Sequence, residues 1–234
     1  MKLIIVKNAE EVALEAVELV CREIKKNPNL VLGLATGKTM IPFYKELVLA
    51  YKNSKIGFSE IKSFNLDEYA GLNENDKKSF RYFMDMNFFN KVNIKKENIH
   101  FLNGSSDDIK FECENYEKEI KKSWGIDLQI LGIGRDGHIG FNEPGSSFKS
   151  RTRKVKLSDI TRKDNGDVSK YALTMGLAII MQAKKIILLA NGKHKADAIS
   201  MAVRGKIDEK VPASILKKHK DATFIIDKAA ADKL

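Results

Sequence analysis

The chain passes from an apolar strand into a glycine-rich loop in the stretch Leu131-Gly132-Ile133-Gly134-Arg135-Asp136-Gly137-His138-Ile139-Gly140-Phe141-Asn142-Glu143-Pro144-Gly145. The glycines allow the backbone to approach a ligand closely. Carboxylates near a histidine, here Asp136 and Glu143 around His138, can fix the tautomer of the imidazole and suit it to proton transfer near neutral pH. The stretch therefore outlines an acid/base site that follows a buried strand.

Two simpler interpretations of this stretch stay open on its residues alone. One is a tight turn in which His138 only satisfies buried carbonyl groups, as most buried polar side chains do. The other is a zinc site, which the sequence supports poorly because the chain has four histidines and none stands at helical spacing from His138. We expect no metal site here.

Outward from this stretch, apolar runs suited to buried strands alternate with segments of helical period. The pattern predicts one α/β domain over residues 1–234, with a mostly parallel sheet and helices on both faces. Amphipathic helices are predicted around Val12, Cys113 and Ile199. Strands are predicted at residues 3–6, 30–34, 61–66, 99–102, 128–133, 151–157, 185–190 and 223–226.

Loops that follow strands are the candidate binding sites, because ligands of open α/β sheets lie beyond the carboxyl ends of the strands. Unusual polar residues mark the loops at 35–40, 67–72 and 134–145 and the loop around Gly192. If the strands are parallel and adjacent, these four loops converge. The function is expected at that edge of the sheet.

The first of these loops contains Thr36-Gly37-Lys38-Thr39 and opens a helix. Small and hydroxyl residues there leave N–H groups available to phosphate, whereas a turn with a threonine cap is the simpler alternative. A nucleotide-binding P-loop is disfavoured, since three residues instead of four separate Gly33 from Gly37. Lys195, after Gly192, offers a positive charge at a second helix start.

Composition limits the possible partners. The net charge is +10, but lysines are spread along the whole chain, which favours a solvated surface over nucleic-acid binding. No window approaches the ~18 apolar residues of a membrane span, and an N-terminus with Lys7 lacks the apolar run of a signal peptide. Cys21 and Cys113 lie on apolar helix stripes and are expected to be reduced and buried. We predict a cytoplasmic protein that binds neither nucleic acid nor membrane.

Four segments together resemble the glucosamine-6-phosphate deaminase family in order and spacing: residues 34–37, 64–72, 132–144 and 150–153. The long motifs NLDEYAGL and GHIGFNEP carry most of the resemblance, which extends from the N-terminal strand to residues 211–216. The 6-phosphogluconolactonases share the GxGxDGH start. After the histidine, however, this chain continues IGFNEPGSSF, which is similar to the deaminase branch.

The resemblance implies a modified Rossmann-like fold and a hydrolase/isomerase of aminosugar catabolism that converts glucosamine 6-phosphate into fructose 6-phosphate and ammonia, without organic cofactor or metal. It makes Asp67 the base that moves a proton from C2 to C1 of the open-chain sugar. His138 would assist ring opening, with Asp136 and Glu143 orienting it. The residues that would hold the sugar and its phosphate are Thr36, Gly37, Lys38, Thr39 and Lys195.

Departures from the family pattern leave the substrate and the assembly open. After Arg162 the loop is shortened and lacks the family's phosphate-contacting arginine, which a lysine does not replace equivalently. Another hexosamine phosphate, such as galactosamine 6-phosphate, and a non-catalytic sugar-phosphate-binding regulator are therefore the alternatives. The chain ends at Leu234 without the extension of the hexameric, allosterically activated members. We expect a monomer or small homo-oligomer with little allosteric control.

Overall fold

Two sheets organise the protein in a computed structural model that describes residues 1–164, 166 and 168–234. The strands are β1 (Lys2–Val6), β2 (Val31–Leu34), β3 (Lys62–Asn65), β4 (Asp67–Tyr69), β5 (Ile99–His100), β6 (Leu128–Leu131), β7 (Arg153–Lys156), β8 (Tyr171–Thr174), β9 (Lys185–Ala190) and β10 (Ala222–Asp227). The helices are α1 (Ala9–Lys26), α2 (Met40–Lys52), α3 (Phe80–Asn87), α4 (Ile109–Lys122), α5 (Asp159–Asp164), α6 (Leu177–Ile180) and α7 (Ala196–Arg204). Short 3-10 helices lie at Phe89–Lys91, Lys96–Asn98, Lys193–Lys195 and Pro212–Lys218.

The central sheet has seven strands in the order β1-β10-β9-β6-β2-β3-β5. Every neighbouring pair in it is parallel. Strands β2, β6 and β10 bury all of their residues, as strands do when a parallel sheet is covered on both faces. Helices flank this sheet, so the predicted α/β class with a mostly parallel sheet is confirmed.

Helix α1 shows how the sequence builds these covering layers. The side chain of Asn8 caps the helix by accepting from Glu11 N, and acidic residues in the first turn and basic residues in the last turn suit the helix dipole. Its apolar stripe is buried and includes Val12, Ala16 and Val20. Of the two free thiols, Cys113 is buried as expected, whereas Cys21 is half-buried. In the described part of the chain, no helix combines the length and apolar character needed to cross a bilayer.

The second sheet is small and antiparallel, with the order β4-β8-β7. Each of the eight predicted strands overlaps an observed one, but β4 and β8 are absent from the prediction. The expectation of a loop beginning at Asp67 is wrong, because Asp67 is the first residue of β4. A strand of three residues, two of them acidic, has no apolar alternation to reveal it.

A close backbone contact lies at Gly176, which follows β8 and is the N-cap residue of α6. A Cβ at this position would lie 2.2 Å from the Ser150 carbonyl oxygen and 2.4 Å from that of Arg151. The hydroxyl of Ser150 in turn accepts from Leu177 N at 3.0 Å. The backbone between the glycine-rich loop and β7 therefore packs directly on the start of α6.

Gly176→Ala should lower the free energy of unfolding by about 1–3 kcal/mol, the usual cost of forcing extra volume into packed structure. The matched control is Gly57→Ala, because Gly57 has nothing within 4 Å of an added Cβ. Urea unfolding followed by circular dichroism measures both variants. Equal midpoints for the two variants would contradict the packing described.

Candidate active site

The four candidate segments leave adjacent strands of the central sheet, although the one at 67–72 begins as strand β4. They follow β9, β6, β2 and β3, which are neighbours in that order. Because these strands are parallel, their carboxyl ends lie at one edge of the sheet, where open α/β sheets bind ligands. The structure thus brings together the loops that the sequence singled out, and each can be described from its own contacts.

Asp67 is a buried carboxylic acid at the start of β4, with only 6% of the residue exposed. Its register partner in β8 is Thr174. The glycine-rich loop packs against the same carboxyl group, since a Cβ added at Gly140 would lie 3.5 Å from Asp67 Oδ2 and 3.1 Å from Thr174 Oγ1. The loop that carries His138 therefore passes directly over Asp67.

Burial, together with the negative charge of neighbouring Glu68, raises the pKa of Asp67 from 3.8 to about 8. Desolvation disfavours the charged form of a carboxyl group, and a nearby like charge adds to that effect. Near neutral pH such a group can both accept and release a proton. A strongly perturbed carboxyl group at the ligand edge of a sheet is typical of an acid/base catalyst.

His138 is oriented by Asp136 within the glycine-rich loop. Its Nδ1 lies 2.7 Å from Asp136 Oδ1, and its backbone N–H donates to the same oxygen at 3.1 Å. Burial raises the pKa of Asp136, but the hydrogen bonds from His138 outweigh it, so the pKa of Asp136 is below its ordinary value. An Nδ1–H held by a carboxylate leaves Nε2 to exchange protons with a ligand.

The imidazole lies directly against the backbone of Gly134. A Cβ at Gly134 would come within 2.2 Å of the His138 ring, so this position requires a residue without a side chain. Within residues 1–164, 166 and 168–234, His, Cys, Asp and Glu side chains form no group of three or more that could hold a metal ion. The half-buried imidazole therefore lies between the Gly134 backbone and the Asp136 carboxylate.

Glu143 lies at the other end of the loop and has different partners from those expected. It accepts from the backbone N–H of Ser158 at 3.1 Å, from Ser158 Oγ at 2.8 Å, and from Thr161 Oγ1. Among the hydrogen bonds of the described residues, the carboxylate that orients His138 is that of Asp136. The expectation that Glu143 also orients His138 does not match this geometry, in which Glu143 fixes the start of α5.

The loop from Thr36 to Thr39 joins β2 to α2. Thr39 is the N-cap residue, but its side chain makes no capping hydrogen bond, so the alternative of a threonine-capped turn is wrong. Backbone carbonyls hold the turn instead: Gly37 O accepts from Met40 N, and Lys38 O accepts from Ile41 N. Lys38 is exposed, whereas Thr36, Gly37 and Thr39 are half-buried.

Lys195 ends the 3-10 helix Lys193–Lys195, which follows β9 and leads into α7. The turn before it is anchored by Asp227, whose two carboxylate oxygens accept from Gly192 N at 3.0 Å. The backbone N–H of Lys195 donates to the Gly192 carbonyl. Lys195, half-buried, is therefore held at the same edge of the sheet as the Thr36 to Thr39 loop.

Two polar side chains that hold the site together were missed by the sequence interpretation. Asn142 donates to the carbonyls of Ile139 and Met175 and accepts from Arg153, so it ties the glycine-rich loop to the small sheet. Glu68 is 2% exposed and accepts three backbone N–H groups. Only its position beside Asp67 in the motif NLDEYAGL could have drawn attention to it.

Comparison with known proteins places the chain in a family. The profile of the family described as glucosamine-6-phosphate isomerases/6-phosphogluconolactonase matches residues 6–225. The chain belongs to this family. Within the family, a glucosamine-6-phosphate deaminase of Thermoanaerobacter sp. (strain X514) is 52% identical over 99% of this chain and 94% of its own length. A glucosamine-6-phosphate deaminase of Clostridium botulinum (strain Langeland) is 50% identical over 100% of this chain and 99% of its own.

Solved structures place the fold in the same family. A protein described as a monomeric glucosamine-6-phosphate deaminase superposes with a TM-score of 0.97 at 41% identity, and the match covers 100% of both chains. A 6-phosphogluconolactonase from Thermotoga maritima gives a TM-score of 0.79 at 21% identity, over 97% of this chain and 99% of that one. The second likeness shows the shared fold alone.

Asp67→Asn should stabilise the protein, and the gain should grow with pH. In the unfolded chain Asp67 ionises near 3.8, whereas in the folded protein it stays protonated up to about 8. The wild-type protein therefore loses stability as pH rises between these two values. The Asp67→Asn variant does not, because its amide does not ionise. Thermal unfolding of both proteins from pH 4 to pH 9 measures the difference.

The control for this experiment is Asp107→Asn, which changes an exposed carboxylate. We expect its unfolding temperature to follow that of the wild-type protein at every pH. A constant or vanishing difference between Asp67→Asn and wild type across the range would contradict the burial of an uncompensated carboxyl group.

Proposed function

We propose that this chain converts glucosamine 6-phosphate and water into fructose 6-phosphate and ammonia. The observation that carries the proposal is the buried Asp67, with its pKa raised to about 8, under a loop that holds the Asp136–His138 pair. The relatives named above as glucosamine-6-phosphate deaminases match essentially the whole chain, so the proposal assigns residues 1–234 to one catalytic domain. The relative described as monomeric supports a monomer or a small homo-oligomer.

The first step opens the sugar ring. Asp136 holds the Nδ1 side of His138 at 2.7 Å, so Nε2 moves the proton between the C1 hydroxyl and the ring oxygen. The C1–O5 bond breaks, and the open-chain 2-amino aldehyde forms. Fixing the imidazole in one tautomer avoids the entropy cost of finding that orientation during the reaction.

The second step is the proton transfer that Asp67 carries out. Its carboxylate takes the proton from C2, and the electrons of the C–H bond form a C1=C2 double bond. A proton from the substrate's ammonium group passes to the aldehyde oxygen, which becomes a hydroxyl, and the intermediate is a neutral enolamine. Asp67 then returns a proton to C1, which leaves C1 as CH₂OH and C2 as an iminium group. Water adds to C2 and ammonia leaves, so the isomerisation ends in a net hydrolysis of the C–N bond.

Binding of the phosphate is assigned to Thr36, Gly37, Lys38, Thr39 and Lys195. The N–H groups at the start of α2 and the positive charge of Lys195 are suited to a phosphate dianion. Arg162 donates through Nε to the Val168 carbonyl at 3.2 Å and lies 3.6 Å from Asp159. We propose that Lys195 and the Thr36 to Thr39 loop together replace the arginine that the shortened loop lacks.

Ammonia release measured together with fructose 6-phosphate formation tests the proposal. We expect both products, in equal amounts, from glucosamine 6-phosphate, and slower release from galactosamine 6-phosphate. Preferential turnover of the galactosamine compound would move the assignment to a deaminase for that sugar. Tight binding of both phosphosugars by calorimetry, without ammonia from either, would instead support a sugar-phosphate-binding regulator.

Asp67→Asn should lower kcat by about 10²–10⁴-fold, the usual contribution of a positioned general base, while KM stays within about twofold because the pocket is not emptied.

In the wild-type protein, kcat/KM should rise with pH and level off above about pH 8, since the free enzyme needs Asp67 ionised. Steady-state kinetics from pH 5.5 to 9.5 measure both.

The variant Asp107→Asn serves as the control and should keep the wild-type rate and pH profile. Full activity in Asp67→Asn would overturn the assignment of the base. A profile that is flat through pH 8 would show that the group limiting the reaction is not the buried carboxyl.

A further inference from the structure

We propose that Glu68 is a positioning residue, which anchors the strand carrying Asp67 to the start of α3 and thereby holds Asp67 for proton transfer. The inference rests on the proposed function, because it takes Asp67 as the base. Glu68 and Asp67 are consecutive in β4, and consecutive side chains of a strand point to opposite faces. Glu68 therefore acts from behind the strand, on the side away from the Asp67 carboxyl group.

Three backbone N–H groups from two elements donate to the Glu68 carboxylate. Oε1 accepts from Tyr69 N at 2.8 Å and from Phe80 N at 2.9 Å, and Oε2 accepts from Arg81 N at 2.9 Å. The Phe80 and Arg81 groups belong to the first turn of α3. Since carboxylates are favoured at helix N-termini, Glu68 fixes the strand to the helix at a single point.

The helix start does not need Glu68 as its cap. Ser79 is the N-cap residue, and its side chain accepts from Tyr82 N at 3.0 Å. Glu68 instead accepts from the backbone N–H groups of Phe80 and Arg81, which make no hydrogen bond to Ser79 Oγ. A carboxylate that reaches across from another element, in addition to a local cap, links the two elements rather than only ending one of them.

On its other side, β4 is attached to the glycine-rich loop. Asp67 pairs in register with Thr174, whose Oγ1 accepts from Phe141 N at 3.0 Å. The centroid of the Tyr69 ring lies 4.5 Å from that of Phe80 in α3 and 5.5 Å from that of Phe141 in the glycine-rich loop. Without the hydrogen bonds from Glu68, β4 is held less tightly to the start of α3. A displacement of about 1 Å at a reacting group can lower the rate by 10²-fold.

The same carboxylate places a negative charge next to Asp67. The titratable groups around Asp67 are the phenols of Tyr44 in α2, Tyr116 in α4 and Tyr69 in β4. Burial raises the pKa of each phenol most strongly, and the negative charge of Asp67 raises it further. In the glycine-rich loop, a Cβ added at Gly140 would lie 3.5 Å from Asp67 Oδ2, and His138, two residues before Gly140, is bonded to Asp136.

Around Glu68 itself, the nearby acid is Asp76, and the Arg81 side chain bonds to Asp85 at 3.1 Å and lies 3.9 Å from Glu74. Burial raises the pKa of Glu68 most strongly, and its three N–H donors counter that rise. Glu68 thus contributes both a mechanical anchor and a charge that Asp67 senses.

Glu68→Gln tests both contributions. The amide oxygen can keep the Tyr69 and Phe80 hydrogen bonds at the Oε1 position, but the amide nitrogen faces Arg81 N–H and the charge is lost. We expect kcat for glucosamine 6-phosphate to fall by about 10- to 100-fold, with KM within about twofold. The acid limb of the kcat/KM profile should move to lower pH, because removing a neighbouring negative charge lowers the pKa of a carboxyl group.

Three further variants, one of them a control, separate position from charge and from general loosening. Glu68→Asp keeps the charge on a shorter side chain, so kcat should fall while the acid limb stays at the wild-type pH. Ser79→Ala removes the cap of α3 and should cost about 1 kcal/mol of stability without moving the acid limb. Glu74→Gln, a change at an exposed carboxylate, should match wild type in every measurement.

A readout without turnover keeps the inference testable if the enzyme assignment fails. The stabilisation produced by Asp67→Asn is measured between pH 4 and pH 9 in the wild-type and Glu68→Gln backgrounds. In the Glu68→Gln background this stabilisation should be smaller and should level off at lower pH than in the wild-type background. A wild-type kcat in Glu68→Gln would overturn the positioning role, and equal stabilisation in the two backgrounds would overturn the charge contribution of Glu68. Loss of the whole reaction in the wild-type protein would overturn only the proposed function.

Discussion

The burial of one carboxyl group governs this structure. Asp67 lies at the start of a strand with 6% of its surface exposed, and both burial and neighbouring Glu68 favour its protonated form. Such a group costs stability once it ionises, so the protein must hold it by other contacts. Backbone pairing with β8, the glycine-rich loop above it and the hydrogen bonds of Glu68 behind it supply those contacts.

The division of work between the two sheets follows from this requirement. The parallel sheet brings the ends of β9, β6, β2 and β3 to one edge and so gathers the segments that follow these strands. Asp67 follows β3 after a single linking residue. The small antiparallel sheet holds Asp67 in a strand by pairing it with Thr174. Asn142 joins the two parts, since it contacts both the glycine-rich loop and Arg153 of β7.

Much of this could be predicted from the sequence. Apolar runs predicted the central strands, and the polar segments that follow them singled out Asp67, His138 and the Thr36 to Thr39 turn. The role of Asp67 as a base came from the family resemblance. The short strands β4 and β8 were missed because three or four residues carry no readable period, and tertiary packing decides their conformation. The partners of Glu143 could not be predicted either, because Ser158 and Thr161 reach it through the fold rather than through a local motif.

The pairing of β4 with β8 joins residues more than 100 positions apart in the chain. Closing such a long loop costs chain entropy before its contacts stabilise the chain, so we expect this pairing to arise late in folding. Helices such as α1, built from local contacts, can appear well before them. We therefore expect the position of Asp67 to be among the last features to form, so that a chain with nearly full helical content can still lack an ordered Asp67.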